Sequence, residues 1–167
     1  MKQCVLTLIA LVFTASSVLA AGGIAYVDLQ KALNTSNAGV AAKQEISEQV
    51  KKYEEIVKQK QDALMTLKDD IEKQSVLLSE DAKSQKLREY QQQGKDLERF
   101  TKDIQEELQQ KDADFTNRIL EQLSEVIKEI GEAEDYDLVL ERTGILYTSD
   151  RIDITQKVID AYNAKQQ

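Results

Sequence analysis

Histidine, proline and tryptophan are missing from all 167 residues, and cysteine occurs once. Without histidine there is no Ser–His–Asp triad, no imidazole metal ligand and no imidazole general base. Without proline, and with six glycines, long helices can run uninterrupted. Aromatic residues make up 5% of the chain, little for the core of an enzyme of this length. The glycines fall at 22, 23, 39, 94, 131 and 144. Neither GxxxxGK[ST] nor GxGxxG occurs, so a nucleotide-driven mechanism has no phosphate cradle. Paired carboxylates do occur, at Asp69–Asp70, Glu106–Glu107 and Asp112/Asp114. Neighbouring helix positions point in different directions, so these read as a solvated face and not as an acid/base pair or a calcium site. No catalytic, cofactor-binding or metal-ligating residue is assigned, and the chain is read as a non-enzyme.

What is present begins with a distinct N-terminus. MKQCVLTLIALVFTASSVLA has one cation, Lys2, then an apolar run from Cys4 to Phe13, then small residues with Val18 and Ala20 before a cleavage point. This is the pattern of a secretory signal peptide over residues 1–20, cut after Ala20 or Ala21. The apolar run is short of the roughly 20 residues that span a bilayer. The exported chain then contains no cysteine, which removes disulfide and thiol chemistry. Losing Lys2 takes the formal net charge from -8 to -9. An acidic surface of this kind argues against nucleic acid, and for at most weak contact with an anionic membrane.

Three segments follow. In residues 21–37, GIAYVD fits a short strand with apolar residues on both faces; LQKAL adds a helical turn, and NTSN reads as a loop with a candidate N-cap. Residues 38–131 show a clear 3–4 spacing. The first half places Ile46, Val50, Tyr53, Val57, Lys60, Leu64, Leu67 and Ile71 on one seam. The second half places Leu87, Tyr90, Gly94, Leu97, Thr101, Ile104 and Leu108 on another, which drifts after Phe115 to Ile119, Leu123, Val126 and Ile130. Val76, Leu77 and Leu78 break the seam, and Ser79 is a good N-cap followed by Glu80 and Asp81. The spacing therefore predicts an antiparallel coiled-coil hairpin that turns near 76–80.

Residues 132–167 change texture. Gly131 reads as a helix stop. YDLVLE and GILYT read as two strands joined through Arg142, Thr143 and Gly144, and DITQ as a capping box with Asp153 at N-cap and Gln156 at N3. The last helix carries Ile154, Val158, Ile159 and Tyr162 on one face. A hairpin brings its ends together. The expected fold is thus α+β: a three-stranded sheet head split between residues 21–37 and 132–167, with the hairpin inserted between strands 1 and 2. A head of 53 residues is small to stand alone, and three strands leave two open edges. Association of heads follows, with Ile24, Tyr26, Leu138, Leu140, Ile145 and Tyr147 as the candidate oligomerisation residues.

The distal hairpin, residues 58–95, has eight cations and seven anions, while residues 96–131 have five and ten. The arm thus runs from an acidic root to a near-neutral tip. Several apolar residues leave the seam: Ile56, Met65, Val76, Leu77, Leu78 and Phe100. Two readings stand for them: exposed contacts for apolar clients, or the flank of a wide helix–helix interface.

IAYVDLQKAL at one end, and Asp137–Leu140, Ile145–Tyr147, Ser149, Asp153–Thr155 and Val158 at the other, resemble the Skp (OmpH-like) family of periplasmic chaperones. The resemblance spans the chain after its leader and is specific at the two ends. It implies a homotrimer with helical arms around a cavity. It also implies binding of unfolded outer-membrane β-barrel proteins in the periplasm, without ATP or cofactor. The best-known members are basic, whereas this chain is acidic, so no residue is assigned to lipopolysaccharide. A structural coiled-coil spacer of the envelope, with no client, is the alternative.

Overall fold

The computed structural model describes residues 23–74 and 78–166. The leader assigned to residues 1–20 lies outside them. The element order is β1 (Gly23–Val27), α1 (Leu29–Thr35), α2 (Asn37–Gln74), α3 (Glu80–Ala133), β2 (Tyr136–Glu141), a short 3₁₀ turn (Asp150–Ile152) and α4 (Thr155–Lys165). The fold is mostly helical with a small sheet, and the long helical hairpin is inserted between the two strands. Among the described residues no helix is long and apolar enough to cross a membrane.

β1 and β2 pair in parallel, with Ile24 beside Leu138, Ala25 beside Val139, Tyr26 beside Leu140 and Val27 beside Glu141. Parallel neighbours need a long crossover, and here α1, α2 and α3 supply it. Alternation sends Ala25, Val27 and Val139 toward the core. That core sits where the arm meets the head, around Ala32, Leu123, Val126, Val158 and Tyr162.

Among the described residues the sheet has two strands, not three. The turn at Arg142–Gly144 forms: Ile145 N–H donates to the Arg142 carbonyl at 3.0 Å, and Gly144 takes φ +88°. The chain beyond it does not fold back on β2. It runs to the 3₁₀ turn, and Ile154 N–H then donates to the Tyr26 carbonyl at 3.0 Å. That bridge occupies the free edge of β1. Strand preference expresses a fit to a half-buried surface, and a single chain offers Leu146 and Tyr147 none: they are 103% and 89% exposed.

Three local expectations are corrected. Gly131 lies inside α3, which runs on to Ala133. The stop is set by Asp135 at φ +53°, with Glu134 N–H closing back on the Ile130 carbonyl at 3.0 Å. NTSN is not a loop: Asn34 and Thr35 end α1, Ser36 turns the chain, and α2 starts at once at Asn37. The capping box does not form: the N-cap of α4 is Ile154, with no side-chain cap hydrogen bond, and Asp153 stands one residue before it. Asp153 Oδ1 accepts from Thr155 N–H at 2.8 Å, Gln156 Nε2 donates forward to Asp160 at 2.9 Å, and the Asp153 N–H donates to the Asp150 carbonyl at 3.2 Å instead of to Gln156. Ser79 does cap α3, accepting from Ala82 N–H at 3.3 Å.

The junction of α1 and α2 sets the direction of the arm. Ser36 is wholly buried, and its Oγ accepts from Gly39 N–H at 3.2 Å. A Cβ on Gly39 would run into the Leu33 carbonyl. Only glycine allows the two helices to approach this closely. At the other side of the head, α4 is tied to the base of α3. Lys157 bonds Glu134 at 2.6 Å, Lys165 bonds Glu129 at 2.6 Å, and Tyr162 OH donates to Gln122 at 2.8 Å.

Candidate client-binding and assembly surfaces

The arm is thin. α2 and α3 have 38 and 54 residues, lengths of about 57 and 81 Å at the usual helical rise. Val50, Tyr53, Val57, Leu64 and Leu67 on α2, with Leu97, Ile104 and Leu108 on α3, are only half-buried. The fully buried positions of α3 are Ile119, Leu123 and Val126, all at the root. Two helices alone shield each other from one side only, so seam residues stay open at the flanks.

One flank is closed by polar and aromatic ties. Tyr53 OH donates to Glu107 at 2.8 Å, and the Lys111–Glu45 pair spans the arm at 2.7 Å. That bond to Glu45 pushes the Lys111 ammonium above its usual range. The Tyr53 and Phe100 rings meet edge to face at 6.2 Å, with Lys60 Nζ 5.2 Å from the Phe100 centroid. An apolar groove of about 150 Å³ also opens between the helices, lined by Val50, Tyr53, Val57, Thr101, Ile104 and Leu108, with Glu54. A second, open gap of about 250 Å³ lies further out, lined by Lys60, Ala63, Gln93 and Asp96.

The candidate client contacts separate. Met65 is 66% exposed and available. Phe100 is half-buried against Tyr53 and belongs to the helix–helix flank. Leu78 is half-buried, and Val76 and Leu77 lie outside the described residues. The periodicity does not reveal the groove, because all of its lining residues except Glu54 occupy seam positions, which the spacing treats as covered. Leu87, also read as seam, is 41% exposed. Val40, which no periodicity singled out, is 55% exposed.

The head also carries exposed apolar residues. Ile24, Leu138 and Leu140 are exposed together on the outer face of the sheet, at 53%, 46% and 41%. Tyr147 and the unforeseen Leu146 project fully beside them in sequence. Ile145 is half-buried. Tyr26 is different: only 3% of it is exposed, so it is not available to a partner. Burial, and a hydrogen bond to the Asp153 carboxylate, push its phenol upward. Burial works against Asp153 as well, but bonds from Thr155 and Tyr26 outweigh it and hold its carboxyl below the usual range. In the same segment Thr148 Oγ1 is enclosed with no hydrogen-bond partner among the described residues.

The family model of the outer membrane protein (OmpH-like) family matches residues 23–162. An uncharacterized protein of Aquifex aeolicus (strain VF5) is 26% identical over 135 residues, spanning 81% of this chain and 82% of that protein. A crystal structure from Caulobacter crescentus CB15, described as a candidate outer membrane chaperone (OmpH-like), superposes with a TM-score of 0.82 at 18% identity. It covers 87% of this chain and 86% of that one, which establishes a common fold.

Proposed function

Because this chain belongs to the outer membrane protein (OmpH-like) family, we propose that it is a periplasmic holdase: it binds unfolded outer-membrane β-barrel proteins between its arms, without ATP or any enzymatic step, and keeps them from aggregating. The observation that carries the reading is the arm itself. Its two helices are long, are covered by each other alone, and leave an apolar groove and residues such as Met65 open to a client. Many weak contacts of this kind suit a disordered chain that must be held and then released. The description of the Caulobacter structure as a candidate outer membrane chaperone supports the same reading.

Holding a client between arms requires more than one copy. The open face of Ile24, Leu138 and Leu140, and the exposed side chains of Leu146 and Tyr147, support self-association of heads into a homotrimer. Large contiguous apolar patches on a small domain mark contact surfaces. A second copy would also cover the free edge of β2 and give residues 145–148 a surface to pair on. The signal-peptide pattern of residues 1–20 supports export to the periplasm.

The test is dilution of a urea-denatured β-barrel outer-membrane protein into buffer with and without the purified exported chain. Turbidity is suppressed at about one trimer per client. Unchanged aggregation would discard the holdase in favour of a structural spacer. Light scattering on the protein alone gives three times the chain mass, and a monomer would discard the trimer.

A further inference from the structure

At the root of the arm, α1, α2 and α3 enclose a pocket of about 160 Å³. The apolar part of its lining is Leu33, Ala42, Ile46, Phe115 and Ile119. The polar part is Gln30, Asn34, Lys43, Asp112 and Thr116. Ala42 and Ile119 are buried and form the floor, while Gln30, Lys43 and Asp112 are exposed and form the rim. The walls are held in place. Gly39 presses α2 onto the end of α1. Arg118 and Lys111 lie over the Phe115 ring, 5.1 and 5.9 Å from its centroid, and Lys111 is itself tied to Glu45. A site already in shape loses little freedom when it binds.

The polar groups around it are left unmatched by the chain. Among the described residues none of the five has a side-chain hydrogen bond or ion pair. Thr116 shows the contrast. Thr35, Thr66 and Thr101 each donate to the carbonyl four residues back, at 2.9 Å, and the half-buried Thr116 does not. An apolar floor ringed by a few convergent polar groups is the usual make-up of a ligand site.

Size and chemistry then select the occupant. An apolar cavity of about 150 Å³ holds one benzene ring. A ring seated here meets Phe115, and aromatic pairs gain beyond the area they bury. The amides and hydroxyl of the rim suit peptide N–H and C=O groups on either side of that ring.

We propose that this pocket takes one aromatic side chain of an extended, unfolded polypeptide, with the flanking peptide groups bonded at the rim. The proposal rests on the holdase reading and gives it a point of selection, because β-barrel membrane proteins carry girdles of aromatic residues.

Methyl NMR on the exported chain, titrated with acetyl-Gly-Tyr-Gly-amide, tests the pocket. The Ile46 and Ile119 methyl signals shift and saturate, and acetyl-Gly-Leu-Gly-amide binds at least about threefold more weakly. Thr116→Phe, which fills the mouth from α3, abolishes the shifts. Equal binding of the leucine peptide would overturn the proposal, as would shifts that never saturate or that survive in a folded Thr116→Phe chain. Tighter binding of free tyrosine than of the capped peptide would overturn it too, in favour of an amino-acid site. No client protein is used, so a silent titration leaves the holdase reading standing. A failed turbidity assay leaves the peptide site standing and removes only its use.

Discussion

Gly39 has the least latitude of any residue in the junction between head and arm. Its missing side chain lets the start of α2 press on the Leu33 carbonyl while Ser36 Oγ receives the Gly39 N–H. Gly39→Ala forces backbone apart in a place with nowhere to yield, at an expected loss of about 1–3 kcal/mol. Thermal or urea unfolding of the variant measures it, and a loss below about 0.5 kcal/mol would mean the junction relaxes freely. Leu123, fully buried at the root, is the contrasting case: Leu123→Ala leaves a cavity and is expected to lose about 2–5 kcal/mol. The pH behaviour is also set by single residues. Asp153 and Glu134 have folded-state carboxyl pKa values held below the usual carboxylate range. For Glu134 the cause is chiefly the bond from Lys157, for Asp153 the bonds from Thr155 and Tyr26. A lowered carboxyl contributes stability above its unfolded value and loses it as pH falls through the folded one. With no histidine in the chain, the melting temperature is expected to be flat from about pH 6 to 8 and to fall as the pH drops into the acid range. Asp153→Asn should blunt that fall, and an equally steep acid transition in the variant would exclude Asp153 as a contributor.

Among the elements, the long helices and α4 were legible because their spacing is local. Ser79 announces α3, and Val158, Ile159 and Tyr162 fall on one face by period alone and are buried. What was not legible depends on neighbours the period does not name. Gly131 looked like a stop, but the left-handed residue is Asp135. Tyr26 looked like a partner surface by alternation, but the Asp153–Ile154 segment covers it from the edge of β1. Residues 145–148 have strand composition and no strand, because composition reports a preference for a surface that a single chain does not supply. The outer sheet face offers a clean test of whether copies supply it. Leu140 is 41% exposed here, so on a monomer Leu140→Asp should cost no more than about 0.5 kcal/mol. In an assembly that buries this face, the same change places a carboxylate in an apolar contact. Leu140→Asp, alone and with Leu146→Asp, is therefore expected to lower the light-scattering mass to one chain and to reduce the melting temperature by several degrees. Retained mass and melting temperature would put the interface elsewhere.

At the scale of the whole molecule, charge is the property that most affects how a client arrives. The chain carries 30 acidic and 22 basic side chains, and the excess lies toward the arm root, where residues 96–131 hold ten anions and five cations. Such a surface repels an acidic unfolded chain at long range, while the groove of Val50, Val57, Ile104 and Leu108 attracts it only on contact. Salt screens the first and spares the second, with the screening length falling from about 10 Å at 0.1 M to about 3 Å at 1 M. Capture of an acidic β-barrel client should therefore hold steady or quicken as salt rises, by less than about tenfold in rate. A basic client of similar length should be captured more slowly under the same change. Stopped-flow fluorescence of labelled clients at low and high ionic strength separates the two. Slower capture of the acidic client in salt would mean that the near-neutral tip, where residues 58–95 hold eight cations against seven anions, dominates the encounter. The charge balance of the root would then be irrelevant to it.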